Sequence, residues 1–165
     1  MFQRLTLFFL AAISLAACNF GSVSVERNAD GTAEVIVSLT ESEVNTAIQT
    51  VLTNMGNPLL RNPSVDLQPG QIVIAGEHDR ADGGGRVSGT VTMTLSVVNG
   101  SIQAQVTNAT FEGWDVSDAR IQEFNQQLAE RLSGRARQDN PRATLSSINI
   151  TDTTLEVHIT VQTQR

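Results

Sequence analysis

Lysine and tyrosine are absent from this sequence, and cysteine and tryptophan occur once each among 165 residues. A single Cys excludes an internal disulfide framework and any thiolate cluster around zinc. There are only two His, so no third imidazole is available to complete a metal or catalytic site. Every cation is Arg, and the 11 basic residues face 17 acidic ones for a net charge of -6. That balance argues against a surface built to cover phosphate backbones, so nucleic acid is not an expected partner. Aromatic side chains make up 4% of the chain, so a core must be built from Val, Ile, Leu, Ala and Met. The length fits one domain, or two very small ones.

Catalytic and cofactor motifs are missing as well. No Ser sits in a Gly-x-Ser-x-Gly elbow, and Gly83-Gly84-Gly85 is not followed by Gly-Lys-Ser/Thr. Asp79 and Asp82 lack the ligand spacing and closing Glu of a calcium loop. No catalytic residue, metal or cofactor is therefore expected.

The N-terminal segment carries the most specific signal. Arg4 gives a short positive region, Leu5 to Ser14 an apolar stretch, and small residues lead to Cys18. This reads as a secretory signal, too short to span a bilayer of about 30 Å. Leu15-Ala16-Ala17-Cys18 resembles the lipobox of bacterial lipoprotein precursors. The resemblance implies cleavage after residue 17 and a thioether-linked diacylglycerol on Cys18. Residues 1–17 are then a signal peptide, 18–21 a lipidated tether, and 22–165 a single domain outside the cytoplasm. That domain would be anchored to the periplasmic face of an outer membrane or the outer face of the cytoplasmic membrane. Cleavage removes Arg4 and makes the balance still more acidic. It leaves Phe20, Phe111, Phe124 and Trp114 as the aromatics.

The remaining pattern alternates hairpins and helices. Asn28-Ala-Asp-Gly31 separates two strand-like runs, Ser22 to Arg27 and Thr32 to Leu39. Thr40-Glu-Ser-Glu43 fits a capping box, and Val44, Ala47, Ile48, Val51, Leu52 and Met55 then recur at helical spacing. Ser64–Leu67 and Gln71–Glu77 form a second hairpin, followed by a flexible connector over 78–85. Arg86 to Val98 alternates over 13 residues, long for a strand, with Gly89 as a bend point. Asn99-Gly100 turns it into a return arm reaching Trp114. There Ile102, Ala104 and Val106 fall out of phase with Ala109 and Phe111 unless a bulge intervenes near Thr107–Asn108. A second helix is expected from about Val116 to Leu132, striped by Ile121, Phe124, Leu128 and Leu132, and a last hairpin over Ala143–Thr151 and Thr154–Gln162.

The order is ββαββ twice, which invites comparison of units 22–79 and 86–163 as an internal duplication. Glu43-Val-Asn45 and Glu123-Phe-Asn125 share a pattern, with an aliphatic residue following three positions after each Asn. The expected class is α+β: a long bent antiparallel sheet, or half-barrel, packed on two amphipathic helices.

Leu39-Thr-Glu-Ser-Glu-Val-Asn45 resembles the opening of YceB-like lipoproteins, and Gly89-Thr90-Val91 a strand element of the same family. The resemblance spans about residues 32–162. It implies the tubular lipid-binding (TULIP-type) fold, shared with LmeA-like envelope proteins, and with it an apolar ligand. An aliphatic, aromatic-poor groove suits acyl chains better than sugars or bases. The expected groove lies between the helix stripes (Ile48, Val51, Leu52, Phe124, Leu128) and the long hairpin (Val91, Met93, Leu95). The alternative is a closed-core module whose surface binds an envelope protein; a continuous apolar pocket separates the two.

Four further readings concern polar residues. Arg131, Arg135, Arg137 and Arg142 form the one basic cluster, suited either to a helix C-terminus or to docking on anionic headgroups. His78-Asp79 reads as exposed decoration of a Gly-rich loop. His158 falls on the polar face of the last strand with Glu156 and Thr160. Asn45 and Asn125 suit the capping of strand-edge backbone groups beside each helix.

Overall fold

The computed structural model describes residues 21–55, 58–80, 83–113, 118–136 and 142–162, excluding the side chains of 118 and 131–136. Cys18, Trp114 and Arg137 therefore lie outside the described residues.

Among the described residues, eight strands and two helices follow the expected order. They are β1 (Ser22–Arg27), β2 (Thr32–Thr40), α1 (Glu41–Thr53), β3 (Arg61–Gln68), β4 (Gln71–Asp79), β5 (Arg86–Val98), β6 (Ser101–Phe111), α2 (Asp118–Ala136), β7 (Ala143–Ile150) and β8 (Thr154–Gln162). The fold is α+β. The strands form two four-stranded antiparallel sheets, β1-β2-β8-β7 and β3-β4-β5-β6, rather than one long bent sheet, and neither closes into a barrel. The helices are the physical reason. Each separates two hairpins, so β2 takes β8 as its neighbour and β4 takes β5. These two joins are not equivalent under exchange of the halves, which would set β6 rather than β5 beside β4.

Local chemistry explains the elements. At the start of α1, Glu43 accepts hydrogen bonds from the Thr40 backbone N–H and hydroxyl, both at 2.7 Å. Asn99 and Gly100 both adopt positive φ, 52° and 73°, as the tight turn between β5 and β6 requires. The out-of-phase return arm is resolved by a bulge at Thr107. Thr92 pairs with Asn108 and Met93 with Val106, so Thr107 is the extra residue and Ala109 and Phe111 return to the inner face.

One core joins the inner face of the second sheet to both helices and to one end of the first sheet. The helices cover the two edges of the second sheet, β3 and β6, which would otherwise expose rows of unpaired backbone groups. From α1, Asn45 accepts the Val65 N–H at 3.2 Å and Glu41 the Leu67 N–H at 3.1 Å. Helical i, i+4 spacing here matches alternate residues of a strand. From α2, Asn125 accepts the Val106 N–H at 2.7 Å and donates to the Val106 carbonyl at 3.1 Å. The two Asn thus cap strand edges, as their positions in the sequence suggest. Asn125→Ala would strand both a donor and an acceptor, and should cost about 2 kcal/mol in urea denaturation, against about 1 kcal/mol for Asn45→Ala.

Candidate functional site

The apolar stripes meet around a cavity of about 240 Å³, partly open to solvent. Ile48, Val51 and Leu52 of α1, Val91, Met93 and Leu95 of β5, and Phe124 and Leu128 of α2 all line it. The structure therefore brings together all eight residues expected in the groove. It adds walls that the sequence reading did not include. Leu59 and Leu60 come from the segment after α1, Ile72 and Ile74 from β4, and Leu39, Ile148, Leu155 and Val157 from the first sheet. Alternation marks the strand residues among these as inward-facing, whereas Leu59 and Leu60 are adjacent in the non-strand segment before β3. What local patterning lacks is the β2–β8 pairing that swings the last hairpin over the cavity. Among the described residues, the lining is entirely apolar side chain. Such a space can hold hydrocarbon by burial, at roughly 0.8 kcal/mol per CH₂.

His78 departs from the expectation of an exposed loop residue. β4 runs on through Asp79, and His78 is buried at 8% exposure. Its Nδ1 lies 2.8 Å from the Leu59 carbonyl oxygen, and its ring packs 4.7 Å from that of Phe111. His78 shares its parity with Ile72 and Ile74, so the alternation that places those residues inward also places His78 there. Two glycines make room for this corner. A Cβ on Gly76 would meet the Arg61 carbonyl at 2.7 Å and Leu60 at 3.3 Å; one on Gly89 would meet the Phe111 ring at 2.1 Å. Gly76 and Gly89 are register partners, so Leu60 and Phe111 roof one cross-strand row. Gly89 thus serves the close approach of Phe111. With its imidazole occupied by a backbone carbonyl and an aromatic ring, His78 closes one end of the core.

Outside the cavity, polar groups pair with one another. Asp79 binds Arg61 and Arg86, and Arg86 also reaches Glu77 at 3.2 Å, tying β3, β4 and β5 together at the surface. The Arg61 hydrogen bond, then that of Arg86, holds the Asp79 carboxyl below its ordinary range. His158 is half-buried, with Nδ1 2.8 Å from Glu34 of β2. Among the described residues, no group of three or more His, Cys, Asp or Glu could hold a metal ion. No helix among them is long and apolar enough to cross a membrane.

Arg131 and Arg135 belong to the C-terminal half of α2. Arg142 is exposed at the entry to β7, where its carbonyl accepts the Gln162 N–H at 2.9 Å.

Glu43 has a second task besides capping α1. Its carboxylate also accepts the Gly21 N–H, tying the start of β1 to the helix. The Gly21 bond first, then the Thr40 backbone and hydroxyl, lowers the Glu43 pKa. A depressed carboxylate contributes above its unfolded value and loses that contribution as pH falls through the folded one. Acidification below the ordinary Glu range of about 4.3 should therefore release Gly21, and Glu43→Gln should release it at neutral pH. Hydrogen exchange at Gly21 and Ser22 should accelerate in both cases, while α2 should keep its protection in the Gln variant at neutral pH.

No protein family, curated protein or solved structure matches the chain. The class rests on its own geometry: an α+β domain of two antiparallel sheets enclosing, with two helices, an all-apolar cavity.

Proposed function

We propose that this protein is a membrane-tethered, non-catalytic lipoprotein of the bacterial envelope that holds an acyl chain or similar apolar ligand in the cavity. The single observation that carries the reading is the all-apolar lining supplied by both sheets and both helices. In this reading the second sheet serves as a half-barrel, with α1 and α2 along its edges and the end of the first sheet as a flap. The lipobox residues Leu15 to Cys18 supply the anchor, a diacylglycerol on Cys18. Val23 and Val25, just beyond that tether, are 43% and 59% exposed and offer apolar surface on the side where the anchor enters. Arg131, Arg135, Arg137 and Arg142 would dock on anionic headgroups, at about 1 kcal/mol per cation near the surface. Gly89-Thr90-Val91 and the opening from Leu39 to Asn45 keep their likeness to the tubular lipid-binding type, and the ββαββ units their likeness to each other.

The alternative, an interaction module for another envelope protein, is favoured by one observation. A volume of about 240 Å³ is below the roughly 300 Å³ at which ligand pockets usually begin. Native mass spectrometry of the signal-less protein separates the two. Co-purified fatty acid or phospholipid at near one per chain supports the groove. Apoprotein alone, which also takes up no fatty acid after incubation, supports the module.

A further inference from the structure

The cavity lies against the point where the tether enters the fold. Gly21 is the first described residue, and its N–H is bound by Glu43 at the start of α1. A methyl placed on Gly21 would stand 2.9 Å from Leu39 Cδ2 and 3.6 Å from Val37 Cγ1, so the backbone there rests against Leu39. Leu39 lines the cavity, as do Val44 on α1 and Leu155, the register partner of Leu39 on β8. Strand register sets the direction. Ser22 pairs with Ser38, which sets Gly21 beside Leu39. Cys18 is three residues before Gly21, within about 10 Å along the chain.

We propose that the cavity is occupied by an acyl chain carried on this protein's own Cys18. The inference rests on the lipoprotein and groove reading above and names the occupant. Three observations favour a tethered chain over a free lipid. Among the described residues, the lining has no polar side chain to receive a carboxylate or phosphate headgroup. A chain attached through glycerol to Cys18 needs none, because its polar end stays outside with the tether. The volume is too small for a two-chain lipid and admits the end of a single hydrocarbon chain. The tether is so short that its acyl groups are present at an effective concentration in the millimolar range or above, which free lipid must exceed to displace them. Seating one chain inside leaves the remaining acyl groups to hold the membrane and draws the mouth of the cavity down to its surface.

The test uses full-length protein produced in cells fed a photoactivatable palmitate analogue, irradiated in intact membranes and digested for mass spectrometry. The expected product joins the Cys18 lipid to peptides carrying Leu39, Val44 or Met93. It should fall to background in Ala104→Phe, whose ring fills the cavity. Phospholipid acyl chains crosslinked to those same peptides, without the Cys18 peptide, would overturn the proposal and leave the groove reading standing. An N-terminal peptide with an unmodified Cys18 thiol would overturn it too. No acyl crosslink of either kind on cavity peptides would sink both readings.

Discussion

Replacing Ala104 with Phe is expected to abolish acyl-chain uptake while the domain stays folded. Ala104 is buried at 8% exposure on β6, opposite Leu95, and both line the cavity. In a fully packed interior the added ring would force neighbours off their rotamers and cost about 1–3 kcal/mol. In an open cavity it occupies space that is already empty, so stability should hold or rise by up to about 1 kcal/mol. Uptake of a fluorescent fatty acid should weaken at least ten-fold, the equivalent of about 1.4 kcal/mol. Urea denaturation and ligand titration read the two quantities separately. Lost stability with unchanged uptake would mean that the ligand binds elsewhere.

The largest stability effects are expected where Gly89 meets Phe111. A Cβ there would sit 2.1 Å from Phe111 Cδ1 and 2.7 Å from the Thr110 carbonyl. Gly89 and Phe111 are register partners, so the ring lies across the glycine as a substitute for its missing side chain. Gly89→Ala must expel the ring from its place beside His78, at a cost of about 3 kcal/mol. Phe111→Ala alone should cost about 3–4 kcal/mol. The double variant should cost much less than the sum, with a coupling of more than about 1 kcal/mol. Strict additivity in denaturant midpoints would show that the contact is not what makes Gly89 necessary.

Much of the fold is legible in the sequence because its signals are local. The Asp30-Gly31 and Asn99-Gly100 turns, the Thr40–Glu43 cap and the stripe from Val44 to Leu52 each depend on residues a few positions apart. Even the bulge at Thr107 follows from parity, since only an extra residue brings Phe111 back to the face of Val106. The second helix runs on past Leu132 to Ala136, as helix ends often differ from their sequence signal by a turn. Which hairpin lies beside which is not local. Nothing near Leu39 announces that Leu155 will be its partner, so the first sheet's contribution to the cavity was missed. His78 was misread for a different reason. The glycines after it suggest a loop, but the pairing of His78 with Val87 extends the strand past the point where composition changes. The eight groove residues were legible because amphipathic faces in so small a domain have few places to meet.

The account turns on whether the space between the sheets and helices takes up hydrocarbon. The most direct measurement is titration of the delipidated, signal-less protein with a fluorescent fatty acid. Saturable uptake at one probe per chain, competed by unlabelled fatty acid and lost in Ala104→Phe, is the predicted result. A linear, unsaturable signal that Ala104→Phe leaves unchanged would contradict the account.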